Sequence, residues 1–359
     1  MTTGRVEAPT RREADLYATS SRTILLALAP ILVALTLAGA LLLALGVDPL
    51  TYYGYVLQRG LLSPLGFEGT ITRMAPLLLL AASLIVAFQA GIWNLGGDGQ
   101  FLLGALTAAA AGPPLAAHLP VSAALLLCLI VGAGVGAVWA LLPALLRAYQ
   151  GVNEIITTLM MSFLGVSFAN VLVKLVFRDT TTTVPQTRTL PVADRLPRLF
   201  DTTVTSGVLI GLVAIVVVQL VITRTAFGLR LRVVGANARA AVHAGLPVPR
   251  LVVAAFVISA GLAGLAGAVE ILGVEGNVRA DWNPAFSLTV VPLVFLARFN
   301  GFAAIFFVFL FSVLSIGGES AAHRMGVPSF FNLVIVALVL VLLALAEYLG
   351  GRRLSGPVA

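Results

Sequence analysis

Long apolar runs, separated by short polar segments, fill most of this 359-residue chain. A helix needs about 20 apolar residues to cross the roughly 30 Å core of a bilayer, and ten runs approach or exceed that length. The pattern therefore predicts an all-α polytopic membrane protein with about ten transmembrane helices. The runs are 24–46, 72–90, 100–117, 120–146, 152–176, 205–223, 251–273, 284–298, 300–317 and 330–349.

Three of these runs raise a question about how they cross. The third and the eighth are short and are edged by glycine or proline, so we expect these two helices to be broken or re-entrant. The first run follows several arginines, as the apolar part of a signal peptide does. Because it is longer than the about 7–15 residues of such a part, we expect it to be retained as a helix.

Composition places the chain in the same class. Only 10% of its residues are charged, against about 25% in soluble domains. No basic stretch is interleaved with aromatic residues, so arginines at membrane edges explain the net charge of +7 better than a nucleic acid partner does. The single cysteine, Cys128, lies inside an apolar run and provides no disulfide framework or thiolate metal site. We expect no nucleic acid partner, no metal and no cofactor.

The distribution of basic residues predicts the orientation in the lipid bilayer. With the N-terminus inside, 13 of the 22 Lys and Arg residues fall on the inner side and nine on the outer side. We therefore expect a single transmembrane domain, 24–350, with cytoplasmic tails at 1–23 and 351–359. A loop at 178–204 would be extracytoplasmic, and a segment at 224–250 cytoplasmic.

Two similar motifs suggest an internal repeat. Residues 95–100 and 272–277 share the pattern Leu-Gly-x-acid-Gly-amide, and Arg147 and Arg324 stand at the same offset. In the predicted topology the helices before the two motifs run in opposite directions, so helices 2–5 and 7–10 would form an inverted repeat. Transporters with such repeats bind substrate near the midplane, at interrupted helices. Chance similarity in a chain so rich in Gly and Leu is the alternative.

The polar stretch "GIWNLGGDGQ", residues 91–100, interrupts two apolar runs. Its aromatic, amide and carboxylate side chains suit the hydroxyl groups and ring face of a neutral polar ligand. Its glycines allow the backbone to leave helical geometry, which is tolerated at membrane depth only inside protein or beside a cavity. We predict that Trp93, Asn94, Asp98 and Gln100 line a substrate path. The alternative is an ordinary cytoplasmic turn with Trp93 at the membrane interface.

Three further polar residues have two interpretations each. Glu270 lies near the end of an apolar run, where a buried carboxylate usually faces a pathway or a partner. If that helix ends earlier, Glu270 is interfacial. Asn153 and Glu154 open the fifth run. They either cap it and complement its dipole or form a cytoplasmic gate.

The segment 224–250 carries the pattern of a short helix outside the bilayer. Asn237 is a suitable N-cap, Gly245 suits the left-handed position after the helix, and Pro247 stops its continuation. Two turns of helix are not stable alone, so this helix must pack on something. A basic loop lying on lipid headgroups is the alternative interpretation.

Several stretches together resemble one family, over about residues 70–349. "TAFGLRLRVVGANARAAVHAGLPV" resembles the cytoplasmic coupling segment of ATP-binding-cassette importer permeases for branched-chain amino acids, simple sugars and nucleosides. "GIWNLGGDGQFLLGA" and "GVNEIITTLMMSFLG" are typical of its nucleoside and simple-sugar permeases, and "ISAGLAGLAGAVEILG" matches its Gly/Ala-rich helix. Two departures are "VVPLVFLARFNG", which lacks the usual Leu-Gly pair, and Asp98, where glutamate is more common.

The resemblance implies a transporter of several subunits in the bacterial cytoplasmic membrane. It implies a separate ATP-binding subunit, a second permease subunit and an extracytoplasmic substrate-binding protein, for which the Thr-rich stretch 179–191 is a candidate docking surface. This chain contains no phosphate-binding loop of the type GxxxxGK[ST]. The coupling helix would contact the ATPase through Ala238, Ala241 and Val242, and through its basic side chains. The full predicted coupling set is Arg230, Arg232, Asn237, Arg239, Ala241, Val242, His243 and Gly245.

Two other classes of function compete with this interpretation. An ion-gradient-driven secondary transporter would use Asp98 or Glu270 as the intramembrane carboxylate, but would have no need for the short capped helix. For an enzyme, the sequence offers only three scattered histidines and few carboxylates, and no catalytic motif. We therefore predict that the chain itself is not an enzyme.

Overall fold

A computed structural model describes residues 32–328 and, beyond them, residues 331, 333–335, 337–338, 341–342 and 345. The predicted tails, 1–23 and 351–359, and most of the predicted tenth helix, 330–349, lie outside this part of the chain. The described residues fall in two compact units, each treated separately below. One contains the chain ends, up to residue 57 and from residue 317, and the other contains residues 58–316.

The predicted all-α membrane fold is confirmed. The helices in chain order are α1 Leu32–Ala44, α2 Pro49–Leu57, α3 Pro64–Gln89, α4 Gly97–His118, α5 Val121–Trp139, α6 Leu141–Gln150, α7 Glu154–Leu175, α8 Gly207–Arg224, α9 Ala226–Ala236, α10 Ala238–His243, α11 Val248–Glu270, α12 Phe286–Leu296 and α13 Gly301–Met325. Within the described residues, seven helices, with α5 and α6 counted together, are long and apolar enough to cross a bilayer. The predicted count of ten is not confirmed.

The three runs singled out in the sequence have different outcomes. The third run is not broken, because α4 is continuous over 22 residues. Its first turn contains Asp98, which is charged but buried, so the helix begins before the apolar run does. The eighth run forms α12, which has only 11 residues, and its re-entrant character stays a prediction. The described part of the first run is α1, which is bent by 119° relative to Pro49–Leu62.

The unit formed by the residues up to 57 and from 317 contains α1, α2 and the end of α13. Gly46, with φ of 77°, forms the turn after α1, and the carboxylate of Asp48 accepts a hydrogen bond from Thr51 N at 2.9 Å in the first turn of α2. The guanidinium of Arg324 lies 5.1 Å from the ring centroid of Tyr55. These contacts fix the bend after α1 and attach the end of α13 to α2.

The larger unit is built around α11. This helix packs on α3, α4 and α5, while α8 packs on α3 and α7 packs on α4. Small residues allow the backbones to approach closely, as is usual between helices in membranes. A Cβ added at Gly264 of α11 would contact the carbonyl of Gly132 and would lie 3.0 Å from Cα of Gly136, both on α5. The close contact between α5 and α11 therefore requires glycine on both helices.

The loop between α7 and α8 is ordered by the segment after α11. Leu190 N donates to the carbonyl of Gly276, and Thr187 N to that of Val278, each at 2.9 Å. Thr181 donates from its backbone N at 2.9 Å and from its hydroxyl at 2.7 Å to the Asp179 carboxylate, which lowers the pKa of that group. In the described part of the chain, β pairing is limited to two isolated bridges, both in this region.

The two proposed repeat motifs have different local structures. Residues 95–100 open α4, whereas residues 272–277 lie in a π-helical turn that closes α11. The residues after Arg147 and Arg324 do match, since Gly151 and Gly326 both follow a helix with φ of 67° and 68°. The inverted repeat remains a prediction, supported by the second pair of positions and not by the first.

The glycine contact between α5 and α11 gives a first prediction. Gly136→Val should reduce the folded protein strongly, because its Cβ would meet backbone atoms of α11 that cannot move away, and overpacking costs about 1–3 kcal/mol or more. Gly134→Val, on the same helix with no atom within 4 Å, is the matched control. Size-exclusion chromatography in detergent measures the monodisperse fraction. Equal recovery of the two variants would contradict this packing.

Candidate functional site

The stretch 91–100 forms a buried break between α3 and α4. Gly91, with φ of 70°, turns the chain after α3, and α4 begins at Gly97. The side chains of Asn94 and Gln100, each 1% exposed, exchange two hydrogen bonds of 3.1 Å. Asn94 Nδ2 also donates to Oγ of Ser259 on α11 at 2.9 Å. This reciprocal amide pair closes the break on itself and attaches it to α11.

Helix α7 provides hydrogen-bond acceptors for backbone N–H groups of the same break. Leu95 N donates to the hydroxyl of Thr158, and Gly99 N donates to that of Ser162, each at 3.2 Å. Both would otherwise be orphan donors at the start of α4, and an unsatisfied backbone group inside a membrane costs several kcal/mol. The backbone break is thus buried inside the protein, and the substrate path along Trp93, Asn94, Asp98 and Gln100 stays a prediction. Asn94 and Gln100 hold its geometry.

Asp98 connects this break to α12. Its side chain is buried in the first turn of α4, and its Oδ1 accepts a hydrogen bond of 2.9 Å from Ser287 N, in the first turn of α12. The positive ends of two helix dipoles thus meet at one carboxylate, an arrangement that stabilises negative charge. A Cβ at Gly97 would collide with the Ser287 side chain. The glycine therefore permits the two helix starts to touch.

A second charged group lies at the end of α11. Glu270 is buried there, and the guanidinium of Arg73 on α3 attracts it electrostatically. The same guanidinium lies 5.3 Å from the ring centroid of Phe286, the residue before Ser287. Phe101 packs against Phe286 at 5.9 Å and against Trp282 at 6.1 Å between ring centroids. These charged and aromatic groups, with Asp98, form what we name the polar–aromatic cluster: Arg73, Asp98, Phe101, Glu270, Trp282 and Phe286.

Only the two carboxylates of this cluster are predicted from the sequence. Arg73 lies at the start of the second apolar run, and the aromatic residues lie in different helices and loops with no shared spacing. Trp282 could have been predicted as a site residue, because it is an aromatic residue in the polar stretch before the eighth run. The structure joins these residues because α3, α4 and α12 converge near the end of α11.

Trp93 lies away from the amide pair, at the other end of α12. Its ring packs at 5.1 Å from Phe88 and 5.5 Å from Phe295, and Phe299 closes the group at 5.2 Å from Phe295. Phe295 belongs to the stretch in which the usual Leu-Gly pair of the family is missing. The added bulk of this departure therefore fills an aromatic cluster around Trp93.

Strained turns flank α12 on both sides. Asp281 and Ala285 before it have φ of 64° and 52°, and Arg298 and Phe299 after it have φ of 50° and 59°. Such left-handed conformations cost of order 1–3 kcal/mol each and persist only where the surroundings hold them. Asp281 is held by α7, through a 2.8 Å bond from its N–H to Asn170 and a 3.2 Å ion pair with Lys174.

Asn153 and Glu154 have the structural contacts of a helix start. Oδ1 of Asn153 accepts hydrogen bonds from Ile155 N at 2.9 Å and from Ile156 N at 3.4 Å, which confirms the predicted cap of α7. The buried carboxylate of Glu154 forms a 3.2 Å ion pair with Arg147 at the end of α6. The gate role of these two residues remains a prediction.

The short helix predicted between the halves is confirmed. Asn237 caps α10 by accepting from Ala240 N at 3.0 Å, and Gly245 has φ of 75° directly after it. The sequence analysis missed α9, which precedes α10 and carries Arg230 and Arg232. Because α8 runs from the 176–206 loop to α9, this loop and α10 lie at opposite ends of α8.

One predicted contact residue of α10 is wrong. Ala241 is 0% exposed, because this side of α10 packs on α9 and α11 of the same chain, and it cannot contact a partner. Val242 is 59% exposed and, with the exposed Leu229 of α9, provides the apolar part of the surface. The basic part is also exposed: Arg230, Arg232, Arg239 and His243. We call these six residues the α9–α10 surface.

Apolar spanning helices, a buried helix break and a short capped helix between α9 and α11 make this chain a polytopic membrane protein. The chain matches, over residues 66–343, the family model described as the permease component of branched-chain amino acid transport systems, and it belongs to this family. It is a membrane-spanning permease subunit of the ATP-binding-cassette transporter class.

Relatives support this assignment over nearly the whole chain. The chain is 32% identical to the glucose ABC transporter permease protein TsgB13 of Haloferax volcanii, covering 90% of this chain and 88% of the relative. It is 27% identical to the nucleoside ABC transporter permease protein NupB of Lactococcus lactis (90% and 91%) and 29% identical to the guanosine ABC transporter permease protein NupP of Bacillus subtilis (89% and 93%). No solved structure matches the chain significantly.

The reciprocal amide pair gives a second prediction. Asn94→Ala and Gln100→Ala should each destabilise the protein by about 1–3 kcal/mol, because each leaves buried polar groups of the other residue unsatisfied. The double variant should lose less than the sum of the two, since the second substitution removes a group that is already unpaired. Thermal unfolding in detergent measures all three variants. Strictly additive changes would show that the two amides do not act as a pair.

Proposed function

We propose that this chain forms part of the translocation path of an importer for nucleosides or simple sugars, driven by ATP hydrolysis in a separate subunit. The cargoes of the relatives, glucose, nucleosides and guanosine, support the cargo class. The observation that carries the proposal is the α9–α10 surface, which exposes basic side chains together with Leu229 and Val242 and includes a helix capped at its start by Asn237. A second permease subunit and an extracytoplasmic substrate-binding protein complete the proposed importer in the bacterial cytoplasmic membrane.

The coupling step follows from how α10 is attached. Ala241 is buried against the chain, and Leu246 N donates at 3.0 Å to the carbonyl of Ala241, so α10 does not move independently of α11, which begins at Val248. A displacement of α10 by the ATP-binding subunit is passed along α11 toward Glu270. Val242 and Leu229 fill a groove on that subunit, and the basic side chains meet its acidic groups.

The proposed substrate path passes the polar–aromatic cluster. Nucleosides and sugars offer hydroxyl groups for carboxylates and guanidinium, and flat apolar faces for aromatic rings. Asp98 and Glu270, with Arg73 between α3 and α11, provide the polar groups, while Phe101, Trp282 and Phe286 provide the rings. Asn94 and Gln100 contribute by keeping α4 separate from α3, and their polar atoms are used within the chain.

Helix α12 is the element we propose to move during transport. It is short, its two flanking turns are strained, and it touches Asp98 at one end and the Trp93 cluster at the other. A shift of α12 would change both contacts together. The ion pair between Arg147 and Glu154 is retained as the candidate gate contact at the α10 end of the bundle.

An ion-gradient-driven transporter is the alternative, and the buried carboxylates Asp98 and Glu270 favour it. It does not explain the α9–α10 surface. Uptake by the chain alone in liposomes, driven by a proton gradient without ATP, would establish this alternative.

The proposed ATP-driven importer predicts a defect in subunit binding when Val242 is replaced. Val242→Glu should abolish copurification of the ATP-binding subunit and ATP-dependent uptake, because a carboxylate replaces the apolar centre of a basic surface. Val184→Glu places the same change on an exposed valine at the opposite end of α8 and should leave copurification intact. Mass spectrometry of the complex extracted in mild detergent provides the readout. Retention of the ATP-binding subunit by Val242→Glu would contradict the coupling role.

The proposed path predicts a separate defect at Glu270. Glu270→Gln should lower uptake at least about tenfold while the complex assembles normally, because one polar partner of the cargo is lost far from the α9–α10 surface. Glu275→Gln is the matched control one turn later, where the carboxylate pairs with Arg279 at 3.6 Å. Uptake of radiolabelled nucleosides and pentoses into proteoliposomes measures both variants. Equal uptake by the two would remove Glu270 from the path.

A further inference from the structure

A cavity of about 520 Å³ lies at the opposite end of α8 from α10. Its walls are the start of α3, the start of α5, residues 192–205 and the turn that closes α11. It is not part of the polar–aromatic cluster, because the two share no lining residue.

The turn that closes α11 packs closely against the hydroxyl groups below this cavity. The Oγ1 atoms of Thr72 and Thr205 make no hydrogen bond in the described part of the chain, and both atoms are buried beneath the cavity wall. A Cβ at Gly273 would lie 3.0 Å from the Thr205 hydroxyl, so only glycine lets this turn come so close. The polar groups that can meet a ligand are therefore the arginine side chains.

Two arginines give the cavity a positive charge. Arg195 is held in place, since its Nε donates to the carbonyl of Leu190 at 3.0 Å and its Nη1 to that of Val274 at 2.8 Å. Arg198 lies at the exposed rim, and its backbone pairs with Thr205 in a β-bridge. No lining residue is acidic, and the nearby Glu68 accepts hydrogen bonds from Thr203. Guanidinium groups favour a phosphate group.

The remaining wall is apolar and belongs to a lipid-facing helix. Val121 and Leu125 of α5 line the cavity, and Leu126 and Leu127 continue onto the exposed face of that helix. Only 28% of the most apolar stretch of α5 and α6 is buried inside the protein. The exposed face of α5 therefore contacts acyl chains in a bilayer. A ligand here therefore has a charged end and an apolar end.

We propose that this cavity binds the phosphate headgroup of an anionic phospholipid from the leaflet opposite α10. Arg195 and Arg198 pair with the phosphate oxygens, and the acyl chains lie along α5. The lipid would tie the 192–205 loop to α3 and α5. The proposal does not depend on which cargo the protein transports.

Native mass spectrometry of the purified full-length protein tests this proposal, with phosphatidylglycerol and phosphatidylcholine added in equal amounts. We expect one retained phosphatidylglycerol in the unmodified protein. Arg198→Gln should lower its occupancy at least about fivefold. Arg188→Gln, an exposed arginine of the same loop outside the cavity, is the control and should leave occupancy unchanged.

Three outcomes would overturn the proposal. Equal retention of the two lipids would show that the site does not select negative charge, and equal retention by Arg198→Gln and Arg188→Gln would place the lipid elsewhere. The third is thermal stabilisation by inorganic phosphate or by a nucleoside that is lost in Arg198→Gln, without any retained lipid. That result would assign the cavity to a free anion or to cargo.

Discussion

The structure depends on one constraint, the need to satisfy polar groups at a helix break buried inside an apolar bundle. No water is available to a backbone inside the bilayer core, so the chain supplies its own partners. Asn94 and Gln100 bond to each other, Asn94 also bonds to Ser259, and Thr158 and Ser162 accept hydrogen bonds from backbone N–H groups of the break. The break then directs the start of α4 toward α12.

From this junction, α11 extends toward both ends of the bundle. It begins beside the capped α10, contributes Ser259 to the break, and ends at Glu270 within the polar–aromatic cluster. Its glycine-mediated contact with α5 keeps these two helices close. In the proposed importer, α11 joins the α9–α10 surface to the polar–aromatic cluster.

Features with strong local signals could be predicted from the sequence, and features that depend on packing could not. The cap at Asn237 and the turn at Gly245 are determined by neighbouring residues, and both predictions are confirmed. The burial of Ala241 depends on which side of α10 faces α11, which a six-residue helix does not reveal. Arg73 and Phe286 meet only through tertiary packing, so the cluster around Glu270 was identified by its carboxylate alone.

Site-specific cross-linking from the α9–α10 surface tests the central claim most directly. A cysteine at Val242 is exposed, whereas the native Cys128 is buried and should not react. In native membranes, a short reagent with one maleimide, which alkylates the thiol of Val242→Cys, and one photoreactive group, which inserts into a neighbouring C–H or N–H bond, should join this position to a protein that contains a phosphate-binding loop, with a yield that changes on adding ATP. Cross-links only to a second copy of this chain, or a yield unaffected by nucleotide, would contradict the account.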